Sequence, residues 1–128
     1  MVAYLLVALG SAIGGVARYA STLAAILMFG PTFPWGTIFV NIVGSFLISC
    51  IAIASANDLV GGNTRLLLAS GFCGGFTTFS AFSLETLTLL QQGDLARAAL
   101  NIVGSVLLCL LAVWIGVLFA NQVYPVKG

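Results

Sequence analysis

Histidine is absent from this 128-residue sequence, and only three side chains, Asp58, Glu85 and Asp94, carry a carboxylate. Acid–base, nucleophilic and metal-assisted catalysis draw on such groups, so an enzyme is not expected. Charge of either sign is scarce: 5% of residues are charged, four basic against three acidic, where soluble domains carry about 25%. Without a basic run, nucleic acid is not a credible partner. Paired cysteines are missing too. Cys50, Cys73 and Cys109 stand singly inside apolar runs, without the spacing of a zinc or redox site, and read as small buried hydrophobes.

What fills the chain instead is apolar: 61% of residues are hydrophobic and the mean hydropathy is +1.19. A membrane-spanning helix needs about 20 apolar residues, so the length holds four spans with short loops. They are expected at roughly 4–29, 36–56, 66–90 and 98–120, making one transmembrane domain of the whole chain. The opening MVAYLLVALG is read as the start of the first span rather than a secretory leader, because no Lys or Arg precedes its apolar run. Two prolines in Gly30–Trp35 break the first helix from the second, and Phe33 and Trp35 suit the headgroup level. NDLVGGNTR (57–65) and QQGDLAR (91–97) are turn-forming polar loops.

Four spans return both termini to one side, so the loops can be compared by the charge rule. Arg65 and Lys127 fall on the terminal side, Arg97 on the opposite side, and Arg18 in the half of its helix nearer Arg97. Two against two sets no orientation. Either the few charges happen to balance, or copies insert both ways and pair antiparallel.

The densest polar signal lies in the third span, SGFCGGFTTFSAFSLETLT (70–88). Phe72, Phe76, Phe79 and Phe82 fall at steps of four, three and three, one face of a regular helix. Thr77, Thr78, Ser80, Ser83, Glu85 and Thr86 are interleaved with them, and polar groups in hydrocarbon need partners or a wet cavity. Gly71, Gly74 and Gly75 followed by Thr77, Thr78 and Ser80 make the middle of this span a poor continuous helix, and a break is expected there; if it unwinds at Gly74 and Gly75, carbonyls are freed for a cation and two half-helix ends aim at the gap. The same glycines also suit close helix packing. In the second span Thr37 and Asn41 sit one turn apart on one face. In the fourth, Asn101, Ser105 and Cys109 form a polar track at steps of four. Arg18 either snorkels to the interface or draws anions toward a vestibule. The buried inventory is donor-rich and nearly uncharged, with phenylalanine edges carrying the positive part of the ring quadrupole. It suits a small anion, which must exchange water for such donors without being held too tightly to leave.

Three motifs, GxxxR as Gly14–Arg18, GTIFVN as Gly36–Asn41 and GFCGGFTTFSAFSLE as Gly71–Glu85, together make the chain closely resemble the Fluc, or CrcB, family of fluoride channels. The resemblance implies an all-α membrane protein of four transmembrane helices with a broken third helix, assembled as an antiparallel, dual-topology homodimer. It implies passive fluoride export through two pores along the subunit interface, conferring fluoride resistance, in a bacterial plasma or inner membrane. It also implies a structural sodium ion at the dimer centre, held by the backbone carbonyls of Gly74 and Thr77. Phe79 and Phe82 map to the phenylalanines facing the ion path, Asn41 to the asparagine beside it and Ser105 to a hydroxyl lining it. Ser80, Ser83, Thr86 and Glu85 fall on the family's polar track. Asn101 stands where a tyrosine can occur, and Cys109 where a second hydroxyl can. Two other readings compete. A proton-coupled exporter like the small multidrug resistance proteins would have to use Glu85, because the first span has no carboxylate. A non-conducting assembly subunit would use its polar residues only to join helices.

Overall fold

The computed structural model describes residues 1–124, and the tail positions Pro125 and Lys127, the latter part of the charge comparison, lie outside the described residues. Within them the chain is helical in four spans, each long and apolar enough to cross a membrane. α1 is Val2–Phe29 and α2 is Trp35–Ala56. The third span, Gly62–Gln91, is in two pieces. Its first piece, α3, comprises Gly62–Arg65, a π-helical stretch Leu66–Cys73 and the turn Gly74–Phe76; its second, α4, is Phe79–Gln91. α5 is Leu95–Val123. The outer helices run 28 and 29 residues, roughly 40 Å at 1.5 Å per residue, and so overreach the hydrocarbon at the expected span ends.

The connections follow from local chemistry. Gly30 takes φ +83° to end α1, and Pro34 precedes the first turn of α2, where a missing N–H does no harm. Phe33 and Phe29 pack on Trp35, with ring centroids 4.9 and 6.0 Å away. After α4 the chain turns at Gly93, φ +78°. Asp94 then caps α5, accepting the Arg97 N–H at 3.0 Å while its second oxygen lies 3.4 Å from the Arg97 Nε.

Two tight seams set the helix arrangement. Along one, Gly10 and Gly14 of α1 face Gly71 and Gly75 of α3. A methyl on Gly75 would lie 2.5 Å from the Ser11 carbonyl oxygen and 2.9 Å from its Cα, and one on Gly71 would lie 2.9 Å from the Gly10 Cα. Along the other, Gly116 of α5 presses on Ser49 and the Phe46 carbonyl of α2, and the Cys50 thiol donates to the Gly116 carbonyl at 3.6 Å. Small residues at four-residue spacing bring backbones together where no hydrophobic force between helices exists. Leu100, Val103, Leu107, Leu111, Trp114 and Leu118 remain exposed along α5, as hydrocarbon requires of a lipid face.

The break expected in the middle of the third span is present, and it falls on the threonines rather than on the glycine pair. The break lies at Thr77 (φ −88°, ψ 156°) and Thr78 (φ −152°, ψ 116°), both extended, whereas Gly74 is helical (φ −61°, ψ −39°) and Gly75 lies inside the turn Gly74–Phe76. Gly75 packs closely on the Ser11 backbone of α1, which leaves no room for a side chain there. The chain gives way one turn later, where side chains can replace the lost ladder.

Candidate functional site at the third-helix break

Unwinding a helix inside a bilayer strands backbone donors and acceptors, and each needs a partner. Asn41 supplies two. Its Oδ1 accepts the Thr78 N–H at 2.8 Å and its Nδ2 donates to the Thr78 carbonyl at 3.1 Å, so the carboxamide pairs with one residue as a neighbouring strand would. Thr78 in turn caps α4, its Oγ1 accepting the Ala81 N–H at 3.1 Å and lying 3.2 Å from the Ser80 Oγ. On the other side of the gap, the Arg18 Nε donates to the Gly75 carbonyl at 3.1 Å. A cation there complements the carbonyl end of α3. Arg18 is half-buried and committed to the third span rather than merely snorkelling.

These bonds release two specific carbonyls. In an unbroken helix the Gly74 carbonyl would take the Thr78 N–H, which goes to Asn41 instead; the Thr77 carbonyl would take the Ala81 N–H, which goes to Thr78 Oγ1.

The break opens onto a groove of about 430 Å³ lined by Asn41, Gly74, Thr77, Phe79, Phe82 and Ser105, with Thr78, Cys73 and Cys109 among its other walls. Of the residues singled out from the sequence, those six converge. Phe79 is 78% exposed and leans on Phe82, centroids 5.4 Å apart and planes at 45°. The four-phenylalanine stripe does not survive as one face. Phe72 and Phe76 stack on each other at 5.3 Å in α3, with Phe76 buried, because the two extended residues reset the helical phase before Phe79.

The remaining track residues lie elsewhere. Ser80 and Ser83 are exposed, and Ser83 donates to the Phe79 carbonyl at 2.9 Å. Glu85 accepts the Thr37 hydroxyl proton on Oε1 and lines a second cavity of about 350 Å³ with Thr22, Trp35, Gln92 and Arg97, at the end of the bundle opposite the N-terminus. Thr86 is buried against α5, where it accepts from Asn101 Nδ2 at 2.9 Å. Two residues read from the sequence only as polar groups in need of partners acquire specific ones here: Thr78, whose position opening a helical run is a capping signal, and Asn101, whose polar-track spacing did not reveal which helix it addresses.

The family model described as "CrcB-like protein, Camphor Resistance (CrcB)" matches residues 5–117. A protein of Opitutus terrae named fluoride-specific ion channel FluC is 49% identical, over 98% of this chain and 97% of its own length. One of Methylocella silvestris with the same name is 47% identical, over 98% of each. A third, from Paramagnetospirillum magneticum and also so named, is 50% identical over 91% of this chain and 93% of its own length.

Proposed function

This chain belongs to the CrcB-like protein family, and from that premise we infer that it is a fluoride-specific ion channel, a multi-pass protein of a bacterial membrane that lets fluoride leave passively and so confers fluoride resistance. The observation that carries the reading is the groove at the third-helix break, where an amide, hydroxyls and two phenylalanine rings meet without a carboxylate. Fluoride is strongly hydrated and enters such a path only if neutral donors replace its water; it leaves only if no fixed cation traps it. Asn41 is rigid because both its oxygen and its nitrogen are bonded to Thr78, and an amide nitrogen has a second proton to offer the groove. The positive edges of Phe79 and Phe82 then carry the ion past the apolar middle. The second cavity, where Arg97 and Gln92 lie with Glu85, shares no lining residue with the groove.

The relatives' names and the groove disfavour the coupled exporter, because Glu85 belongs to the second cavity and is hydrogen-bonded to Thr37. No energy source or gate is needed for a channel, and no covalent chemistry takes place.

An antiparallel, dual-topology homodimer belongs to this proposal. It is supported by the balanced charges and by Phe79, whose exposed ring and open groove a second copy would cover. The structural sodium is proposed as well, and the residues fit it: the Gly74 and Thr77 carbonyls are those whose helical donors Asn41 and Thr78 have diverted. A bound sodium would supply the positive charge that two freed carbonyls from each protomer need. Purified protein in liposomes tests the function directly. Fluoride efflux far above chloride efflux is expected, and equal or absent fluxes refute the reading.

A further inference from the structure

Asn101 has no exposed surface and joins α4 to α5. The direction of its bonds follows from its neighbours. Thr86 gives its only hydroxyl proton to the Phe82 carbonyl at 2.7 Å, so toward Asn101 it can only accept. That orients the amide, Nδ2 toward Thr86 at 2.9 Å and Oδ1 toward Ser105. Ser105 therefore donates to Asn101 Oδ1, over 3.2 Å.

This arrangement differs from that of four hydroxyls on the third span. Thr77, Ser83, Thr86 and Thr88 place their protons on backbone carbonyls one turn back, at 2.8, 2.9, 2.7 and 2.9 Å, the usual resting place for a hydroxyl on a membrane helix. Ser105 lines the groove. Of the five it has the longest bond and the only side-chain acceptor.

We propose that Asn101 is a positioning residue for fluoride passage, keeping the Ser105 proton on a weak side-chain acceptor so that the hydroxyl turns to an anion in the groove and turns back when the ion has left. A buried hydroxyl is then never without a partner, before, during or after transit. Asn101 does not touch the ion; it sets how readily Ser105 does. Without its side-chain oxygen, Ser105 falls back on the Asn101 backbone carbonyl like its counterparts on the third span, and the proton becomes harder to recruit.

The inference rests on the channel reading, and the test separates the two. Fluoride efflux from liposomes is measured for wild type, Asn101→Leu, Ser105→Ala and the double variant. Asn101→Leu is expected to slow efflux about fivefold, the worth of one net hydrogen bond, and to add nothing in the Ser105→Ala background. Additive losses overturn the inference while wild-type conduction leaves the channel reading intact; a wild type that passes no fluoride overturns the channel reading itself. A second measurement covers the case in which Asn101→Leu folds poorly. In protein with nitrogen-labelled asparagine side chains, fluoride but not chloride should shift the Asn101 amide resonance, and Ser105→Ala should abolish that shift. A resonance indifferent to fluoride, or one that still responds in Ser105→Ala, refutes the proposal.

Discussion

Thr78→Val tests the construction of the break, because valine keeps the shape and the β-branching of threonine and removes only the oxygen that accepts the Ala81 N–H at 3.1 Å. Losing an N-cap costs about 1 kcal/mol. The stranded Ala81 N–H has one ready acceptor, the Thr77 carbonyl one turn back, so α4 should rewind by a residue and withdraw that carbonyl from the pair proposed to hold sodium. An ion present at a hundred times its Kd stabilises the fold by about 2.7 kcal/mol, and a tenfold loss of affinity removes about 1.4 kcal/mol of it. Unfolding in detergent, followed in sodium chloride and in N-methylglucamine chloride, therefore separates two losses. The first, of about 1 kcal/mol, appears in both salts; the second appears only with sodium. Thr78→Ser keeps the accepting oxygen and should behave as wild type in both. Equal stability of the valine and serine variants would refute the capping argument. A wild type indifferent to sodium would refute the proposed ion.

Two further outcomes follow from the packing and the groove. Phe82→Ile replaces a ring edge with an aliphatic surface of no quadrupole, and should cut fluoride efflux from liposomes at least tenfold while the crosslinking pattern of the proposed dimer is that of wild type; undiminished flux would remove the ring-edge proposal. Gly75→Ala places a methyl 2.5 Å from the Ser11 carbonyl and should destabilise the protein by about 1–3 kcal/mol by overpacking, read as a lower unfolding midpoint. Gly15→Ala, where an added methyl meets nothing within 4 Å, should be neutral or slightly stabilising through helix propensity. Similar midpoints for both alanines would contradict the seam.

The number of spans, their approximate ends and the polar residues worth watching were legible in the sequence because each depends on local properties. Hydropathy over about 20 residues is a statement about solvent, and prolines, glycines and Asp94 mark helix ends through their own backbone and side-chain chemistry. Asn41 and Ser105 stood out because an amide or hydroxyl in an apolar run needs a partner wherever the chain folds. The partner's identity is another matter. Gly74 and Gly75 look like the weak point of the third helix, yet both stay helical, and Gly75 is packed against the Ser11 backbone of α1. The break then passes to Thr77 and Thr78, because only there does a residue 37 positions away, Asn41, arrive with both a donor and an acceptor. In the same way the spacing of Asn101 and Ser105 is visible in one dimension, but the assignment of Asn101 to Thr86 requires α4 and α5 to lie side by side. Burial and helix ends are decided residue by residue; which hydrogen bond replaces a lost one is decided by which helix comes near.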